Sequence, residues 1–165
     1  MVGGKPVLST AVPDEFESRL LSLLPPVIVD SAPLGRDFGE VLQQPDALYS
    51  PGQTVEVVFQ SANPRNNLRR YQTFLEVQLY NSSVNKWTVV HTDDDWCTKY
   101  IWDRPNGPLS SESTATVHWE VPSGAVHGKY RIKHYGDAKS LSGRVTAFEG
   151  TSRDFEIGAA RRLGR

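Results

Sequence analysis

The chain carries one cysteine in 165 residues. A lone thiol, Cys97, excludes an internal disulfide and any metal site built on several thiolates. No apolar run approaches the ~20 residues that a membrane-spanning helix requires. Charge of one sign is missing too, since 18 Lys and Arg stand against 19 Asp and Glu. That balance leaves neither the basic footprint of a nucleic-acid binder nor a polyacidic tail. The amino terminus, Met1-Val2-Gly3-Gly4-Lys5-Pro6, lacks the apolar stretch of a signal peptide. It reads as a start methionine placed on a piece of a longer protein. No internal repeat or low-complexity tract is visible.

What the chain has instead is alternation. From Pro51 onward apolar and polar residues exchange with period two, beginning with Val55, Val57 and Phe59. Further strands are predicted over 73–80, 87–92, 99–102, 114–119, 128–135, 144–148 and 153–157. Gly, Pro, Asn, Asp and Ser separate these eight short runs. Such spacing over ~100 residues predicts an all-β fold, an immunoglobulin-like antiparallel β-sandwich. Tyr130, two residues before an inward Ile132, stands where a tyrosine corner would. Upstream, Phe16, Leu20, Leu21, Leu23 and Leu24 repeat at helical spacing behind Asp14, Glu15 and Glu17, and Pro25-Pro26 ends the pattern. The expected organisation is a linker, short amphipathic helix and extended docking arm over 1–50, the sandwich over 51–158, and a tail over 159–165. The aperiodic part of the arm, 27–49, gains stability only by lying across some surface.

No segment spells an active site. Asp93-Asp94-Asp95 crowds oxygen ligands into one turn, which suits a hard divalent ion such as Ca²⁺ or Mg²⁺. It lacks the twelve-residue loop of an EF-hand, and the alternative is a solvated turn whose aspartates bond their own backbone. His91, His118, His127 and His134 have no close His pair of the kind zinc sites use. Thr151-Ser152-Arg153-Asp154 is no nucleophile elbow. Asn63-Pro64-Arg65-Asn66-Asn67-Leu68-Arg69-Arg70 is either an anion-binding loop or a solvated one. Trp87, Trp102 and Trp119 lie in expected strands and are read as core, whereas Trp96 follows the acidic turn. Asn81-Ser82-Ser83 is a glycosylation sequon on an expected loop.

Taken in order, several segments resemble the C-terminal domain of the neutral (non-lysosomal) ceramidases. They are Phe38-Gly39-Glu40-Val41, Tyr49-Ser50-Pro51-Gly52, Asn63-Pro64-Arg65-Asn66, Asp93-Asp94-Asp95-Trp96, Trp119-Glu120-Val121-Pro122, Gly128-Lys129-Tyr130-Arg131-Ile132-Lys133-His134-Tyr135-Gly136 and Phe148-Glu149-Gly150-Thr151-Ser152-Arg153. Asn67 departs from the resemblance, which has aspartate there. The resemblance implies a parent enzyme that hydrolyses the amide of ceramide to sphingosine and fatty acid. Its zinc and the ligands of that zinc would lie in a large preceding catalytic domain, the expected partner of this one. It further implies a Ca²⁺ or Mg²⁺ ion between the two domains, with Asp95 and Thr98 as ligands from this side. On that reading this segment is not itself an enzyme and meets membrane lipid only through a parent that is secreted or membrane-associated. The competing expectation is a free-standing immunoglobulin-like module that binds glycan or protein.

Overall fold

The computed structural model describes residues 29–68 and 72–158. The helix expected over 13–24, the linker before it and the tail over 159–165 lie outside the described residues. Among those described, the chain forms ten strands: β1 (Val41–Gln43), β2 (Leu48–Tyr49), β3 (Thr54–Ser61), β4 (Leu75–Asn81), β5 (Lys86–Thr92), β6 (Thr98–Asp103), β7 (Ser113–Glu120), β8 (Gly128–Lys139), β9 (Val145–Thr151) and β10 (Phe155–Ile157). One sheet has the order β1-β3-β7-β6. The other runs β2-β10-β8-β4-β5, with β9 alongside β8. Every pairing is antiparallel except β10 with β2.

The two sheets close on each other because their alternating residues point at one seam. In β7, Ala115, Val117 and Trp119 are buried while the alternating Thr114, Thr116 and His118 are partly exposed. Val55, Val57 and Phe59 of β3 pair beside them, and Leu75, Val77, Tyr130, Ile132 and Phe155 face them from the second sheet. Fully burying side chains of this size contributes about 1.5–3 kcal/mol each. The tyrosine corner is present, as the Tyr130 hydroxyl donates to the Val126 carbonyl at 2.6 Å.

All eight expected runs are strands. β1 and β2 come from the stretch that shows no period, so residues 41–49 lie across this chain's own sheets. The three tryptophans read as core divide differently: Trp119 is fully buried, whereas Trp87 and Trp102 are half-buried. They pack under guanidinium groups instead, Arg131 4.2 Å over Trp87 and Arg104 5.0 Å over Trp102.

Two of the motif segments meet as bare backbone. Gly39 and Gly150 are both buried where the segment before β1 crosses β9. The flanking Phe38 and Phe148 rings stack at 5.4 Å, and the tip of the Phe148 ring also closes on Gly136 of β8, where a Cβ would fall 2.4 Å from its Cζ.

Burial also sets an alkaline limit. Desolvation raises the hydroxyl pKa of Tyr130, Tyr100 and Tyr49 above the ordinary 10.0. A folded pKa above the unfolded one means stability is complete below pH 10 and is lost as pH climbs past it. Urea midpoints should therefore fall above about pH 10, and Tyr130→Phe should flatten that decline. An equally steep decline in the Phe variant would remove Tyr130 from the account.

Candidate functional site

The acidic turn joins β5 of one sheet to β6 of the other. Its shape follows from short polar side chains bonding nearby backbone. The Asp95 amide donates to the Thr92 carbonyl at 3.2 Å, and the Thr98 amide to the Asp95 carbonyl at 3.0 Å. Asp95 Oδ2 in turn accepts from the Thr92 amide at 2.8 Å. The Thr98 hydroxyl lies 2.6 Å from the Thr92 carbonyl and 2.9 Å from that of Asp95, and its one proton serves one of them at a time.

The three aspartates have separate fates. Asp93 turns back toward β4, where its carboxylate takes the Thr73 hydroxyl and, at 3.2 Å, the Phe74 amide. Asp94 is exposed. Asp95 keeps 42% of its side chain in solvent, with His91 Nδ1 3.6 Å from Oδ2. That imidazole nitrogen is buried and has no hydrogen-bond partner among the described residues. Trp96, at the tip, is 81% exposed.

The structure thus brings Asp95 and Thr98 together and draws Asp93 away. Asp95 and Thr98 offer hard oxygen donors on one turn, but Ca²⁺ takes six to eight oxygens. Among the described residues no group of three His, Cys, Asp or Glu could close a metal site. Two side chains alone fall short of that number.

The histidines are dispersed. His118 Nε2 lies 2.7 Å from a Glu56 carboxylate oxygen on the outer side of its sheet, and His127 is exposed. His134 is only 1% exposed and sits between the sheets, with Nδ1 2.9 Å from the Phe74 carbonyl and Nε2 3.0 Å from Ser61 Oγ. The carbonyl can only accept, so Nδ1 carries a proton, and in a neutral ring Nε2 would accept from the serine hydroxyl. This serine–imidazole pair escapes a motif search, because the two residues belong to different sheets. Its enclosure by the Phe59, Tyr100 and Phe148 rings suits a cross-link better than a nucleophile. Burial, and then the Asp95 charge, pushes the Cys97 thiol up, against the Trp119 side chain, the reverse of what activates a thiolate.

The asparagines of the arginine-bearing loop are structural. Asn63 caps a 3-10 turn over Pro64–Asn66, and Asn63 and Asn66 are both 7% exposed, while Arg65 faces solvent. Asn81 of the sequon is exposed at the end of β4.

Residues 1–157 match the family described as "Neutral/alkaline non-lysosomal ceramidase, C-terminal". "Neutral ceramidase 2" of Arabidopsis thaliana is 44% identical over 147 residues, which cover 88% of this chain and 19% of that one. "Neutral ceramidase" of Pseudomonas aeruginosa is 36% identical over 154 residues, 92% of this chain and 22% of that one. The crystal structure of the Pseudomonas aeruginosa neutral ceramidase superposes with a TM-score of 0.76 and 38% identity, over 81% of this chain and 21% of that chain. The chain spans about a fifth of the length of the curated relatives it matches.

Proposed function

This chain belongs to the neutral/alkaline non-lysosomal ceramidases as their C-terminal domain, and we propose that it docks onto and stabilises a preceding amidase domain without carrying the chemistry. The observation behind this reading is the match itself, which takes in residues 1–157 yet only about a fifth of each relative. The parent would hydrolyse the amide of ceramide to sphingosine and fatty acid. A zinc ion held by the preceding domain would polarise that amide and lower the pKa of its bound water.

The acidic turn would serve the joint between the domains. Asp95 and Thr98 would hold a Ca²⁺ or Mg²⁺ ion there, with the remaining ligands supplied from the other side. The half-exposed Asp95 carboxylate supports this, as does the exposed Trp96 beside it.

Deleting the segment equivalent to 29–158 from the parent tests the first part. Ceramide hydrolysis and melting temperature should both fall; a truncated parent that stays fully active and equally stable would defeat the proposal. For the ion, saturating Ca²⁺ or Mg²⁺ at ~100 times Kd should stabilise the parent by about 2.7 kcal/mol. Asp95→Ala should abolish most of that gain, and an unchanged gain would remove Asp95 from the site.

A further inference from the structure

The sequon Asn81-Ser82-Ser83 has no part in the docking reading, and the fold gives it the setting of a modification site. Among the chain's asparagines, only Asn81 has a serine or threonine two residues later. The others serve elsewhere or lack the hydroxyl. Asn63 and Asn66 are nearly buried at the 3-10 turn, and Asn85 takes the Tyr80 hydroxyl.

Residues 82–85 turn β4 into β5, and all of them are exposed, as is Asn81 itself. The turn closes on Asn85, whose φ of 53° asparagine tolerates better than most residues. Within it the Ser83 N–H donates to Asn81 Oδ1 at 3.0 Å. The oxygen of the carboxamide is thus held, while Nδ2 donates to no group among the described residues. That nitrogen is the atom an N-linked glycan would occupy.

The turn also stands at the far end of β5 from the acidic turn. β5 runs seven residues from Lys86, opposite Asn81, to Thr92, where the acidic turn begins. Strand geometry makes that about 20 Å. A bulky group on Asn81 therefore leaves Asp95 and Thr98 clear. β5 is moreover the last strand of its sheet among the described residues, with Val84 58% and Val89 44% exposed along it. An open edge of this kind invites pairing with another chain. We propose that Asn81 carries an N-linked oligosaccharide, which shields the β5 edge. In the transfer, Asn81 Nδ2 bonds to C1 of an oligosaccharide carried on a polyprenyl pyrophosphate. The C1–O bond to pyrophosphate breaks, the amide gives up one proton, and the lipid pyrophosphate leaves. The site does not depend on the docking reading, but it requires a parent that passes through the secretory lumen, where such donors are used.

Tandem mass spectrometry of the full-length parent, purified from its source, tests the site. The peptide that contains Asn81 should carry a glycan, and peptide N-glycosidase should release it and convert Asn81 to aspartate. In parent secreted from a eukaryotic line, Ser83→Ala should lose the glycan and Ser83→Thr should keep it. Both variants retain the Ser83 backbone N–H, so misfolding would not produce that contrast. An unmodified Asn81 in parent recovered from the lumen or the medium overturns the site and leaves the docking reading standing. A parent recovered only from the cytosol overturns it as well. For the shield, the Ser83→Ala parent should aggregate about twofold faster or more than Ser83→Thr on mild heating, followed by light scattering. Equal rates overturn the shielding role.

Discussion

Replacing Gly150 with alanine should lower the unfolding free energy by about 3 kcal/mol or more, at the upper end of what overpacking costs. A Cβ at this position would fall 2.2 Å from the Gly39 carbonyl oxygen and 2.7 Å from Phe59 Cδ1. The first obstacle is backbone and the second is a fully buried ring, so neither yields cheaply. The crossing has no slack on the other side. A Cβ on Gly39 would meet the Glu149 carbonyl at 2.3 Å, and its φ of 88° is one that residues with side chains avoid. Moving Gly39 aside would break the 2.8 Å hydrogen bond that its N–H donates to the Gln60 carbonyl, which anchors the start of β1. The urea midpoint should drop with an unchanged m-value. Gly124→Ala is the control, because nothing lies within 4 Å of a Cβ there. A Gly150→Ala midpoint equal to that of the control would show that the crossing can open at little cost.

Sequence made most strands legible because β3 to β9 each span six residues or more, long enough for period two to stand out, and three-residue β10 still showed Phe155 and Ile157 either side of Glu156. Three-residue β1 and two-residue β2 are too short to have a period. Their hydrogen-bond partners, in β3 and β10, define them instead. Trp87 shows another limit. Its place on the outer side of the sheet depends on β4 lying between it and Arg131, which no local pattern reveals. The candidate site was legible only as a cluster. Three successive aspartates look equivalent in sequence, and it takes the folded position of Thr73 and Phe74 to commit Asp93 to β4 and leave Asp95 in solvent. Family membership, by contrast, was readable from ordered motifs such as Asn63-Pro64-Arg65-Asn66 and Glu149-Gly150-Thr151-Ser152-Arg153, and the match over residues 1–157 establishes it.

Asp30 carried no sequence signal at all, since its three donors lie 33, 36 and 109 residues away. Removing it should nevertheless cost about 3 kcal/mol. Hydrogen bonds to a charged acceptor contribute roughly 1.5–3 kcal/mol each, and water recovers part of the loss where it can reach. It reaches poorly at Asn63 and Asn66, which are nearly buried, so Asp30→Ala strands two donors. Asp30→Asn should recover only part of the loss. Oδ1 now serves Asn63, while Oδ2 serves both Asn66 and Lys139; one amide oxygen cannot cover both sides, and its NH₂ would face a donor. Urea denaturation gives the size of the effect, and amide exchange gives its location. The Ser31, Asn63 and Lys139 amides should exchange faster in Asp30→Ala, beyond any change at Val57 and Val117 in the core. Leu68 should respond less, because its amide donates to Asp137 at 2.9 Å rather than to Asp30. A uniform rise would mean that only global stability fell and that these loops do not depend on Asp30. A rise confined to the loop amides would make this carboxylate the clasp that holds the loops after β3 and β8 in place.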